Sequence, residues 1–179
     1  MSHPHDPDYV KLISGLFSPQ KGLIEKVIDR LSEVYGPVDW ISRELLFDRT
    51  KYYAREMGWP LFRRLISFEE LVPPDNLAEI KLQTNEIEGQ YLNEGNRLVN
   101  IDPGYISAER LILATGKNYI HRVYLSKGIY ADLTLLFKRG GFIPLEWTYP
   151  DYAEQEIIGL FDAVRKQYMS QLREMKRLD

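Results

Sequence analysis

The chain contains no cysteine. That excludes disulfide staples, zinc-thiolate and iron-sulfur sites and thiol catalysis, and it is compatible with a reducing compartment. Nor is there an apolar run near the ~18 residues of a membrane-spanning helix, and the opening Met1-Ser2-His3-Pro4-His5 lacks the basic and apolar regions of a signal peptide. A cytoplasmic protein with no membrane partner is expected. With 23 basic and 26 acidic side chains the net charge is only -3, too weak a field to gather a polyanion, so nucleic acid is disfavoured as a partner. Tyrosine, by contrast, is abundant: twelve residues, enough to build either an aromatic-walled pocket or an aromatic surface for association.

The order of elements can be read from turn residues and hydrophobic spacing. After a polar head expected to be mobile over residues 1–8, Tyr9 to Phe17 reads as a strand, and Ser18-Pro19 predicts a helix start with Ser18 as its cap. Ile24, Val27, Ile28, Leu31 and Val34 recur at helical spacing until Gly36-Pro37 stops them. Val38 to Phe47 and Pro60 to Phe68 read as two extended runs of a long hairpin, joined by the polar and aromatic connection Asp48 to Gly58. Pro73-Pro74-Asp75 introduces a second helix with Leu77, Ile80, Thr84, Ile87 and Tyr91 on one stripe, and Arg97 to Ile101 returns as a short strand. Strands at 110–115, 121–125, 129–137 and 142–147 follow as a meander, and a last helix is expected from Asp151, with Glu154 completing a capping box. The sum is a single α+β domain over residues 9–179, with a ferredoxin-like split βαβ core extended by an antiparallel β-meander and a C-terminal helix.

The chemistry-bearing residues gather in a few places. Asp102-Pro103-Gly104 reads as a turn, and Asn100 shares a strand face with Asp102, so the two can hold a hydroxyl, an amide or hydrated metal. Ala114-Thr115-Gly116-Lys117-Asn118 superficially resembles a phosphate loop, but Leu111 and Asn118 occupy positions where that motif requires Gly and Ser or Thr. Lys117 remains an anion-binding candidate. His121 can transfer protons near neutral pH and Arg122 can clamp an anion, although adjacent strand residues face opposite ways. Thr50, Tyr53 and Glu56 form a candidate clamp in the 48–58 connection. On the second helix Lys81, Thr84, Asn85 and Glu88 are neighbours at spacings of three or four, read most simply as a surface network. Glu86 and Glu88 diverge by about 200° and make a poor metal pair, and neither a metal nor a cofactor is assigned. Trp147-Thr148-Tyr149-Pro150-Asp151-Tyr152 reads as a wall or cover for the sheet end.

Thr50-Lys51-Tyr52-Tyr53, Lys81 with Thr84-Asn85-Glu86-Ile87-Glu88, Asn100 to Tyr105, Ala114 to Lys117, His121-Arg122, Gly128-Ile129-Tyr130 and Trp147 to Tyr152 together resemble a bacterial and archaeal family of uncharacterised proteins, a domain of unknown function. Some relatives carry a GTP-binding label, which implies a nucleotide, yet the chain has neither a P-loop nor an Asn-Lys-x-Asp guanine reader. The expected function is binding of a small anionic ligand, a nucleotide or phosphorylated metabolite. Catalytic roles would fall to His121 and Asp102, and binding to Thr50, Tyr53, Glu56, Lys81, Asn85, Asn100, Lys117 and Arg122. An enzyme and a non-catalytic binder fit equally. The alternative is a protein-interaction module or homo-oligomer that uses an aromatic surface.

Overall fold

A computed structural model describes residues 1–48 and 50–178. Strand β1 (Val10–Ser18) is buried along its whole length, as a central strand covered on both faces must be. Helix α1 (Lys21–Tyr35) follows, and two strands, β2 (Val38–Ile41) and β3 (Leu45–Phe47), come next. A short helix α2 (Ala54–Met57) leads to the long β4 (Leu61–Val72), and a single 3-10 turn at Pro74–Asn76 opens α3 (Leu77–Gly89). The small hairpin β5 (Leu92–Asn93) and β6 (Asn96–Arg97) precedes β7 (Asn100–Ile106). The meander is β8 (Arg110–Thr115), β9 (Arg122–Ser126), β10 (Ile129–Lys138) and β11 (Gly141–Pro144), and α4 (Gln155–Leu178) is the last of the described elements.

The main sheet runs β11-β10-β8-β7-β1-β4-β2, with β3 also on β4 and β9 also on β10, and every pairing is antiparallel. Because β4 lies between β1 and β2, those two strands run parallel with α1 connecting them. Side chains alternate across the sheet. Leu12 and Leu16 of β1 join Ile24, Val27 and Ile28 of α1 and Ile80 and Ile87 of α3 on one face. Ile13 and Leu65 join Phe161, Val164 and Tyr168 of α4 on the other. Tyr168 is fully buried, donates its hydroxyl hydrogen to the Tyr9 carbonyl (2.8 Å), and burial pushes its pKa up to about 12.

Several expected boundaries move for identifiable reasons. Helix α1 starts at Lys21 rather than at Ser18-Pro19, because the Ser18 hydroxyl donates to the Leu98 carbonyl (2.6 Å) while accepting the Gln20 amide (3.0 Å). The run 38–47 is two strands, not one. At the break, Ser42 keeps the ladder to β4 by exchanging its amide and hydroxyl with Leu65. Helix α4 begins at Gln155, four residues later than the capping box predicted, since Asp151 is paired with Arg63 instead. The largest correction concerns Asp102-Pro103-Gly104, which is no turn but the middle of β7.

Candidate functional site at a split in the sheet

Strand β7 pairs with β1 from Asn100 to Ile106, but with β8 only from Gly104 to Ile106. Beyond that point β8 stays with β10, through Leu113 opposite Asp132 and Thr115 opposite Tyr130. The sheet therefore splits. Close contact at the crotch requires glycine: a Cβ on Gly104 would lie 2.3 Å from the Ile112 carbonyl oxygen.

Buried backbone groups left without a strand need other partners. At Ile101 both come from α3: Glu88 Oε1 accepts its amide (2.6 Å) and Lys81 Nζ donates to its carbonyl (2.9 Å). By the two-residue alternation of a strand, the Pro103 nitrogen points to the same side. Having no N–H, it needs no acceptor there, which is how proline is tolerated inside this strand.

A polar network grows from these two helix side chains. Arg97 grips Glu56 through Nε (2.7 Å) and Nη2 (2.9 Å), reaches Glu88 at 3.3 Å, and donates to Asn100 Oδ1 at 2.9 Å. Asn100 passes a hydrogen to Asp102 Oδ2 at 2.8 Å, and Lys81 lies 3.9 Å from the other Asp102 oxygen. The expected surface network of α3 is thus buried at Lys81, Thr84 and Glu88. Burial raises the Glu88 carboxyl's pKa despite the opposing pull of Lys81 and the Ile101 amide. Arg97's hydrogen bonds do the reverse to Glu56, holding its carboxyl below the usual range. Glu56 consequently stabilises the fold above its unfolded-state pKa, and that stabilisation is lost as pH falls through its depressed folded value. Glu56→Gln is expected to flatten the acid side of the stability profile, measured as urea midpoints from pH 6 to pH 3; an unchanged profile would show that the Arg97 pairing does not persist in solution.

The second cluster centres on Asp132, a buried carboxylate inside β10. Arg122 Nε donates to Asp132 Oδ2 at 2.8 Å, and His121 Nε2 lies 3.4 Å from the same oxygen. His121 and Arg122 converge because His121 precedes β9 and is free of strand alternation. Arg122 further donates to the Lys117 carbonyl (2.9 Å) and the Tyr149 hydroxyl (2.6 Å). The His121 ring stacks on Trp147, with centroids 5.1 Å apart and planes 11° from parallel, and its buried Nδ1 has no hydrogen-bond partner among the described residues.

Tyr149 and Tyr53 lie between the clusters. Burial raises the Tyr149 hydroxyl's pKa; Asp132 and Asp102 both push it further while Arg122 opposes them. Tyr53 packs edge-on to Phe17 at 4.8 Å, and burial, then Asp102, raises its hydroxyl pKa. Lys117 acts on Glu56 from across the split. Its ammonium is exposed, 3.5 Å from the Tyr52 hydroxyl, and it forms no ion pair among the described residues. Asp102, Asn100, Lys81, Glu56, Tyr53, Lys117, His121 and Arg122 therefore share one region, although no hydrogen bond or ion pair among the described residues joins Asp102 directly to Lys117 or His121. The Thr50 hydroxyl accepts the Tyr52 amide at 3.0 Å, and Asn85 is exposed on α3.

Sequence reading passed over Asp132, Arg97 and Arg63. Arg63 is buried, stacked 4.6 Å over the Tyr152 ring and paired with Asp151. It also lines a recess of about 240 Å³ on the β3 side with Arg43, Leu45, Phe47 and Ile157, which contains none of the expected site residues. Among the described residues, no group of three or more His, Asp or Glu is placed to hold a metal ion, and no helix is long and apolar enough to cross a membrane.

No curated protein and no solved structure matches the sequence. A family model matches residues 8–168, most of the chain, and the protein belongs to that family, described as a domain of unknown function, DUF4416.

Proposed function

We propose that the protein binds a small anionic ligand, a nucleotide or another phosphorylated metabolite, at the split between β7 and β8. The observation that carries this reading is Lys117, an exposed ammonium without a carboxylate partner among the described residues, beside a cluster whose other cations are engaged. It supplies the charge for the ligand's anionic group. Asp102, 36% exposed at its side chain, accepts hydrogens from the ligand's hydroxyl or amino groups, held in place by Asn100 and Lys81. Arg122, with all three nitrogens engaged, positions Tyr149 and the Lys117 loop rather than clamping the ligand itself. The Asp132–His121 pair is the proton-transfer candidate, since the carboxylate lies where it orients the imidazole that would pass the proton. The order β7-β1-β4-β2 supports a ferredoxin-like core beneath this site.

A thermal-shift screen of nucleotides and phosphorylated metabolites, with and without magnesium, tests the reading. A ligand at a hundred times its Kd contributes about 2.7 kcal/mol to stability, a shift of roughly 5–10 °C for a chain of this size. Lys117→Ala is expected to leave the ligand-free Tm unchanged and to weaken binding about tenfold, a typical loss for a charge-assisted contact. Absence of any shift at millimolar ligand, or a shift that Lys117→Ala retains in full, would move the function elsewhere.

A further inference from the structure

Strand β9 lies at the edge of the sheet, paired with β10 on one side and, among the described residues, with no strand on the other. Native edges are ordinarily protected by proline, charge, a bulge or a covering element, and of these β9 has the inward-turned Arg122 and one bulge. Here Tyr119 (65% exposed), Ile120 (94%), Val123 (68%), Tyr124 (57%) and Leu125 (40%) stand open within seven residues. The two polar residues among them, His121 and Arg122, turn inward to Asp132. Successive strand residues point to opposite faces, so the exposure of Val123 and Tyr124 in a row means that neither face of β9 is fully covered, although Tyr124 rests edge-on against Tyr130. A bulge opposite Ile129 and Tyr130 is the one irregularity along the strand. Elsewhere exposed apolar side chains such as Ile41 and Leu92 are separated along the chain.

We infer that this edge is a homodimer interface, with β9 of a second copy lying antiparallel against it across a two-fold axis near Val123. Three observations favour a second copy as the occupant. The five side chains expose on the order of 600 Å² per copy, close to the ~800 Å² per partner of a standard interface. The patch alternates aromatic and aliphatic groups, so each copy offers what the other can pack against, as an isologous contact requires. Arg122, the charged residue inside the patch, is 9% exposed at its side chain and paired with Asp132, so exposed charge lies at the ends. Lys127 lies beyond one end and is paired with Glu79, and the antiparallel arrangement places it against Tyr119 of the other copy rather than against its own counterpart. Pairing also covers Tyr119, whose ring contacts His121 edge-on at 5.4 Å, and so shields the outer wall of the His121–Trp147 stack.

Sedimentation velocity of the full chain from 1 to 200 μM tests the inference. The native protein is expected to sediment as a dimer at the upper concentrations. Val123→Lys and, separately, Ile120→Lys are expected to weaken association at least a hundredfold while leaving the circular dichroism spectrum unchanged. Ile120 lies in the turn before the strand, so its variant tests the surface without disturbing the β9–β10 ladder. A native protein that is monomeric throughout, a dimer that survives both variants, or assembly that continues past two copies would each overturn the inference.

Discussion

Replacing Glu88 by alanine is expected to cost about 3–5 kcal/mol, the range for removing one partner of a buried ion pair, and to lower Tm on the order of 10 °C. The carboxylate does more than pair charge. One oxygen accepts the Ile101 amide, which the split has deprived of a strand partner, and the other faces Arg97. Without it, an amide is left buried and unsatisfied, and the buried Lys81 loses the attraction of one carboxylate while keeping Asp102 at 3.9 Å. That burial raises the Glu88 pKa does not contradict the prediction. The raised value means that protonated Glu88 suits the folded state better, so its contribution is greatest at low pH and declines as pH rises through the folded pKa, the opposite sign to Glu56. Deleting the side chain removes the hydrogen-bond acceptor at every pH. Glu88→Gln, which keeps an acceptor for Ile101, is expected to lose less than half as much in urea denaturation. A Glu88→Ala protein within 1 kcal/mol of the native one would show that solvent can satisfy Ile101, and hence that the split is open to water.

Glu88 also shows where sequence reasoning stops. Its spacing from Lys81 on the helix was visible, but helical periodicity says which residues are neighbours and not what lies opposite them. Only the end of the β7–β8 ladder converts a surface pair into caps for a strand. The meander was legible because its turns carry local chemistry: Lys127-Gly128 and Arg139-Gly140 both have positive φ, the conformation that two-residue hairpin turns demand. Likewise α1 announced itself through the spacing of Ile24, Val27, Ile28 and Leu31. The start of α4 was misplaced because Asp151 has two suitors, a helix N-terminus in sequence and the buried Arg63 in space, and the second prevails. Asp132 was missed although a signal existed. A lone acid within the apolar run Ile129 to Phe137 has to be paired if that run is buried, and the nearby His121-Arg122 supplies the partners.

Gly104→Ala is expected to destabilise the protein by about 3 kcal/mol, the upper part of the usual range for overpacking, with a fall in Tm of roughly 10 °C. The φ of Gly104 is one that any residue adopts, so the cost arises from space alone. The added methyl would meet the Ile112 carbonyl oxygen at 2.3 Å and Leu113 Cδ2 at 2.8 Å. Leucine can change rotamer, but the carbonyl belongs to the β7–β8 ladder and can retreat only if the strands part. Gly15 provides the internal comparison on the neighbouring strand. There a methyl would touch the Tyr152 hydroxyl at 3.2 Å and Arg63 Nη2 at 3.5 Å, both ends of side chains, so Gly15→Ala should cost clearly less. Hydrogen exchange separates local from general damage. If the crotch of the split is what Gly104 maintains, amides of Tyr105 and Ile112 should lose protection in Gly104→Ala while those of β1 and β4 keep theirs at matched stability. Equal Tm values for Gly104→Ala and the native protein would mean that β7 and β8 do not approach this closely. The closing point of the split, and with it the placement of Asp102 against the Lys117 and His121 cluster, would then have to shift.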